Sequence, residues 1–240
     1  MLIDTIYTRR SCRNYDETQL DEQCLSDIHE FIETVRRLNP DIEFSYDILE
    51  SSQVRTLMPW NAPYYIAIYS KPEKNYFENI GFIFQQVDLY LQSIELGSCW
   101  VGMGKPKKDK LEEHPDEDFI IIIGFGKTSQ PKRNSEDDFD RLNLKDISDT
   151  EDERLLPALY APSAMNSQPW YFTHNDDGSY NIYRIKLNIL KRKVVGYMNN
   201  IDIGIALAHI YIANATTFDY YYDDQHQELD RYTYVGSFNI

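Results

Sequence analysis

The chain is short of cations, of cysteine and of long apolar runs, and each shortage closes a class of function. Against 39 aspartates and glutamates stand 24 lysines and arginines, a formal charge of −15. A surface so negative repels polyphosphate and anionic lipid, so neither nucleic acid nor a membrane is an expected partner. Cys12, Cys24 and Cys99 are odd in number and form no C-x-x-C, which fits reduced thiols in a cytoplasmic protein better than a disulfide framework. The start, Met1-Leu2-Ile3-Asp4, has no apolar leader core, and no run is long enough to span a bilayer. His29, His114, His174, His209 and His226 show no metal spacing, and there is no G-x-G-x-x-G dinucleotide fingerprint.

What is present is concentrated in a few places. A chain of 240 residues makes one large domain or two small ones and can bury a real core. Its cations cluster at Arg9 to Arg13, Lys105 to Lys110, Lys132-Arg133 and Lys191 to Lys193. The first cluster lies in Thr8-Arg9-Arg10-Ser11-Cys12-Arg13-Asn14-Tyr15-Asp16, where three guanidiniums surround a hydroxyl, a set suited to a phosphate monoester. A second dense stretch is Ala161-Pro162-Ser163-Ala164-Met165-Asn166-Ser167-Gln168-Pro169-Trp170. Small residues there let backbone approach a flat ligand, Asn and Gln donate and accept toward a ring edge, and the prolines fix the path.

Together the two stretches resemble the signatures of the FMN-dependent nitroreductase family, an Arg-Arg-Ser-x-Arg-x-aromatic run and a Pro-Ser-x-x-Asn-x-Gln-Pro-Trp loop. A third, Leu96-Gly97-Ser98-Cys99-Trp100-Val101-Gly102, is similar to that family's Gly-Leu-Gly-Thr-Cys-Trp segment, with Glu95-Leu96 in place of Gly-Leu. The order departs from the usual one, since here the Asn-x-Gln-Pro-Trp loop follows the Cys-Trp segment. That order resembles the divergent subfamily in which two half-domains share one polypeptide.

The patterning between the motifs is consistent with such a plan. A short helix over Asp4 to Thr8 delivers the arginines, and a longer one follows Asp21 as N-cap, with Leu20 and Leu25 placed as a hydrophobic staple. Phe44, Tyr46 and Ile48 alternate as a half-buried strand, while Tyr64 to Tyr69 and Phe119 to Gly126 read as interior strands. Asn79 to Leu96 reads as a long helix. Thr150 and Glu153 form a capping box for a helix toward Tyr160, which Pro157 should kink or delay. Trp170 to Phe172 and Tyr180 to Ile185 read as a hairpin about Asp176-Asp177-Gly178, and Ile201 to Ala215 as a helix buried all round. Gly81 to Ser93 and Ile201 to Ala215 correspond, as do the strands before Gly124 and at Tyr232 to Gly236, a faint internal repeat.

The expectation is therefore an α+β, nitroreductase-like fold of two related halves forming an intrachain pseudo-dimer, with antiparallel or mixed sheets flanked by helices. Residues 1–130 form half one, 131–149 a charged connector and 150–240 half two. The resemblance implies one FMN per chain. It assigns Arg9, Arg10 and Ser11 to phosphate and ribityl, with Lys132 and Arg133 completing the phosphate site, and Arg13 to the N1 and O2 edge, where a cation favours the reduced ring. Trp100, Val101 and Gly102 are assigned to the ring near N5, and Pro162, Ser163, Ala164, Asn166 and Gln168 to the loop against its face. It further implies NAD(P)H as co-substrate, a small nitroaromatic or quinone as acceptor, and a monomer with internal pseudo-two-fold or a weak homodimer. The alternative is a non-catalytic flavin-binding or flavin-sensing protein on the same fold.

Overall fold

The computed structural model describes residues 1–187 and 189–240, with 136 and 189–195 described by backbone alone. The chain divides into two compact units: residues 1–76 with 86–138, and residues 77–85 with 139–240. Among the described residues no helix is long and apolar enough to cross a membrane.

The first unit opens with helix α1 (Leu2–Ile6) and helix α2 (Glu22–Thr34). The Asp21 carboxylate accepts from the Cys24 amide at 2.8 Å, the N-cap expected from sequence. Strand β1 (Phe44–Glu50), a short β2 (Val54–Thr56) and β3 (Tyr64–Ser70) follow. Every residue of β3 is buried, because it lies inside its sheet. Helix α3 runs Tyr76–Ser93. It stops short of the expected end because Glu95 takes a left-handed φ of 65°, and Leu96 instead opens strand β4 (Leu96–Val101). After β5 (Gly104–Pro106) and the single turn α4 (Lys108–Leu111), β6 (Asp118–Lys127) completes an antiparallel sheet of order β1-β3-β6-β4, while β2 pairs with β5.

The second unit carries the short turns α5 (Leu144–Ile147) and α6 (Leu156–Leu159), then β7 (Trp170–His174), β8 (Tyr180–Ile185), helix α7 (Ile189–Ala213), β9 (Asp219–Tyr221) and β10 (Tyr232–Asn239). The Thr150–Glu153 capping box does not form: Asp152 is the cap, accepting from the Arg154 amide, and Pro157 sits in the first turn of a helix that starts late. Residues 201–210 of α7 are buried without exception. The side chains of the Lys191 to Lys193 cluster lie outside the described residues.

The sheet of this unit, β7-β8-β10-β9, is also antiparallel throughout. Leaving aside the small β2–β5 pair, each unit runs strand, strand, long helix, strand, strand, and each sheet places its four strands in the order first, second, fourth, third. The faint repeat in the sequence is thus a repeat of topology. Within the second unit, residues 77–85 of α3 cross α7 at backbone contact. A β-carbon built on Gly204 would stand 1.9 Å from the Glu78 carbonyl oxygen, and one on Gly81 would stand 2.1 Å from that of Ile201. Only glycine permits that approach.

Candidate functional site

In the first unit the arginine run is an extended segment laid beside β4. Ser11 bridges Ser98 in parallel, and the Cys12 amide donates to the Ser98 carbonyl at 2.9 Å. Gly97 makes this possible, since a side chain there would meet Cys12 Sγ at 2.6 Å and Thr128 Cγ2 at 2.8 Å. The far edge is tied to the end of β6 and the segment that leaves it: Asp16 N–H donates to the Lys127 carbonyl at 2.9 Å, Arg13 N–H to Gln130 Oε1 at 3.2 Å, and Thr128 Oγ1 to the Asn14 carbonyl at 2.6 Å.

The three arginines of the run have three different surroundings. Arg9 is 1% exposed, and its Nε donates at 3.0 Å to Asp88, itself fully buried in α3. Asp88 also accepts from Ser98 Oγ at 2.6 Å, and Arg9 Nη2 donates to Ser11 Oγ at 3.3 Å. Arg9 is therefore satisfied inside the chain and holds Ser11 in place. Arg10 is half-buried; its amide donates to Gln92 Oε1 at 2.9 Å and its Nη1 to the Pro131 carbonyl at 3.3 Å. Arg13 is exposed and lies near Cys99. Burial pushes that thiol up, while the nearby charges of Arg9 and Arg13 act the other way.

Arg133 returns to the same place from 124 residues away in sequence, its side chain donating to the Arg9 carbonyl and its amide to the Thr8 carbonyl at 2.9 Å. Burial, then the charges of Arg9 and Arg10, push its guanidinium down to about 10, so it stays a cation at neutral pH. Lys132 pairs with Glu95 at 2.6 Å, and both line a cavity of about 300 Å³ whose walls also include Arg10, Cys12, Gln92, Thr128 and Gln130. Cations crowded against one another beside a half-buried hydroxyl are a chemistry that suits a multiply charged anion. Trp100 and Gly102 are half-buried and Val101 is buried at the end of β4.

In the second unit the Pro162 to Gln168 stretch is a strained turn. Met165, Asn166 and Gln168 have φ of 54°, 56° and 44°; asparagine tolerates this region, whereas the other two cost about 1–2 kcal/mol each. The ties that hold it are specific. Asn166 donates to the Asp140 carbonyl at 2.8 Å and accepts from Arg141 at 2.6 Å. Gln168 is buried, its Oε1 accepting from the Leu142 amide at 2.9 Å, while its backbone N–H donates to Ser163 Oγ at 2.9 Å. Pro162 is buried, Ser163 and Ala164 are half-buried, and Met165 is 89% exposed.

Sequence reasoning missed Asp88, Gln92, Gln130 and Asp202, the residues that hold the motifs from behind. One signal was present: Asp88 stands between Val87 and Leu89 in the most apolar stretch of α3, and a charge there needs a partner.

A family model described as "Putative TM nitroreductase" matches residues 1–214. Among solved structures, a "putative nitroreductase" from Thermotoga maritima MSB8 is similar in fold over 99% of this chain and 92% of its own, with a TM-score of 0.66 at 19% identity. An FMN-dependent nitroreductase from Clostridium difficile R20291 aligns over 57% of this chain and 94% of its own at 22% identity and a TM-score of 0.45. A nitroreductase with bound FMN from Desulfitobacterium hafniense DCB-2 aligns over 59% and 97% at 14% identity and a TM-score of 0.43. No curated protein matches the sequence.

Proposed function

Because the chain belongs to the family described as "Putative TM nitroreductase", we propose that it is an FMN-dependent oxidoreductase that takes reducing equivalents from NAD(P)H and delivers them to a small nitroaromatic or quinone acceptor. The observation that carries this reading is the gathering of Arg9, Arg10 and Arg133 beside Ser11 in the first unit. Arg10, Arg133 and the Ser11 hydroxyl, with Arg9 behind them and Asp138 near both Arg10 and Arg133, are a charge and donor set of the kind a phosphate monoester takes.

Arg10, Ser11, Arg133 and Lys132 are assigned to that phosphate, and Arg9 holds Ser11 from beneath. Arg13, exposed beside Cys99, is assigned to the N1 and O2 edge, where a fixed cation stabilises negative charge. Trp100 and Val101, which close β4, and Gly102 after them are assigned to the ring near N5. The turn from Pro162 to Asn166 is assigned to the ring face; its small residues present backbone, and Asn166 and Gln168 spend their amides on keeping it in shape. FMN, when bound, supplies the hydride chemistry, and the chain supplies binding, orientation and electrostatics.

The test begins with colour. Purified protein should be yellow or become so with FMN, with one FMN and not FAD per chain, and should oxidise NAD(P)H in the presence of nitrofurazone or menadione. A colourless protein that FMN cannot reconstitute refutes the assignment. FMN uptake without any NAD(P)H oxidation would leave the flavin site and remove the activity.

A further inference from the structure

The turn assigned to the flavin is held by a residue outside every motif. Ala164 N–H donates to Asp202 Oδ1 of α7 at 3.0 Å. Asp202 is 3% exposed, and its second oxygen, Oδ2, is buried with no hydrogen-bond partner. Three residues earlier on α7 stands Asn199, 1% exposed, whose Oδ1 is also buried without a partner. Positions i and i+3 share a helix face.

Two orphaned buried acceptors on one face of α7 are a poor arrangement, because each oxygen bears its full loss of hydration. A proton on Asp202 Oδ2 removes the buried charge and turns one orphaned acceptor into a donor. Burial drives the carboxyl the same way, well above its ordinary value, and among the described residues the Ala164 amide opposes it.

We propose that Asp202, carrying a proton on Oδ2, is the positioning residue that sets the Ser163–Asn166 turn, a neutral clamp behind the flavin face. The proposal rests on the assignment of that turn to FMN. A carboxylate at this place would set a buried negative charge behind a ring that must itself become electron-rich, and the neutral acid grips Ala164 without that penalty.

The experiment compares wild type, Asp202→Asn and Asp202→Leu, first without flavin. A carboxyl whose folded value is raised favours the folded state most below the unfolded value of about 3.9, and loses that advantage as pH climbs toward the folded value. Asp202→Asn has no proton to lose and keeps an acceptor for Ala164. Its urea midpoint should gain steadily on that of wild type from about pH 4 upward. Infrared spectra at neutral pH should show a carboxylic-acid carbonyl band in wild type that the Asn variant lacks. FMN affinity should be retained in Asp202→Asn and fall about tenfold or more in Asp202→Leu, which drops the Ala164 bond.

A midpoint difference that is flat with pH, with no acid band, overturns the proposal even if FMN binds normally. The expected pH dependence in a protein that takes up no FMN upholds the clamp and overturns the flavin assignment. Should Asp202→Leu fail to fold, the Asn variant and the infrared band still decide.

Discussion

Replacing Asp88 by Asn should be among the most damaging single changes in the first unit, and the reason is visible in the surroundings of Arg9. The pair is 1% and 0% exposed at its two side chains and meets at 3.0 Å. Asparagine keeps one oxygen for Ser98 Oγ but turns an amide toward Arg9 Nε, donor against donor, and leaves a guanidinium buried without its counter-charge. Stripping one partner from a buried ion pair costs about 3–5 kcal/mol. At about 2–4 °C per kcal/mol for a chain of this size, the melting temperature should fall by about 6–20 °C. Differential scanning calorimetry and urea unfolding read this directly. The double variant Arg9→Met/Asp88→Leu should recover most of the loss, since an apolar pair of similar volume carries no desolvation debt. An Asp88→Asn protein within about 1 kcal/mol of wild type, or a double variant no better than the single, would show that Arg9 is not held as described.

Arg10→Ala and Arg133→Ala should each weaken FMN binding by about tenfold or more while shifting the melting temperature little, as one charged hydrogen-bonding partner is lost from a solvent-facing phosphate site; fluorescence titration against calorimetry separates these from Arg9. Arg13→Ala should lower the reduction potential of bound FMN by removing a cation from the ring edge, and spectroelectrochemistry showing an unchanged potential would displace Arg13 from that edge. Gly204→Ala should fail to fold or melt far below wild type, since its methyl would stand 1.9 Å from the Glu78 carbonyl oxygen; normal expression and melting would mean that the two helix segments do not meet there. In acid, stability should fall as Asp152 takes up a proton, because Arg154 first, and Tyr180 with it, hold that carboxyl below its usual range. A depressed carboxylate stabilises above its unfolded value and loses that contribution as pH drops, so Asp152→Asn should lose stability at neutral pH and show a shallower acid limb in urea midpoints.

The three motifs were legible because each is a contiguous stretch whose chemistry is local. The strands were legible for a similar reason: a run such as Tyr64 to Tyr69 has few alternatives to the interior of a sheet. Boundaries set by a single backbone angle were not, and Leu96, apolar and in phase with α3, was lost to β4 because Glu95 turns left-handed. The Thr150–Glu153 capping box was a correct pattern in the wrong frame, two residues from the side chain that caps. Deeper in the site, Asp88 and Asp202 escaped notice because their meaning lies in Arg9 and Ala164, separated from them by 79 and 38 positions, and periodicity cannot report a partner that distant. The repeat was readable only as helix-then-strand; the shared strand order needed the pairing of the sheets.

The division of α3 sets a limit on how the polypeptide can be cut. Residues 77–85 group with residues 139–240, so a break in the polar stretch near Asp138, the obvious place for a protein engineer, leaves the C-terminal fragment without the helical segment against which Gly204 packs. Residues 139–240 expressed alone should be insoluble or molten. Co-expressed with residues 1–138 they should reassemble by fragment complementation, and a circular permutant opened near Asp138 should succeed where the isolated halves do not.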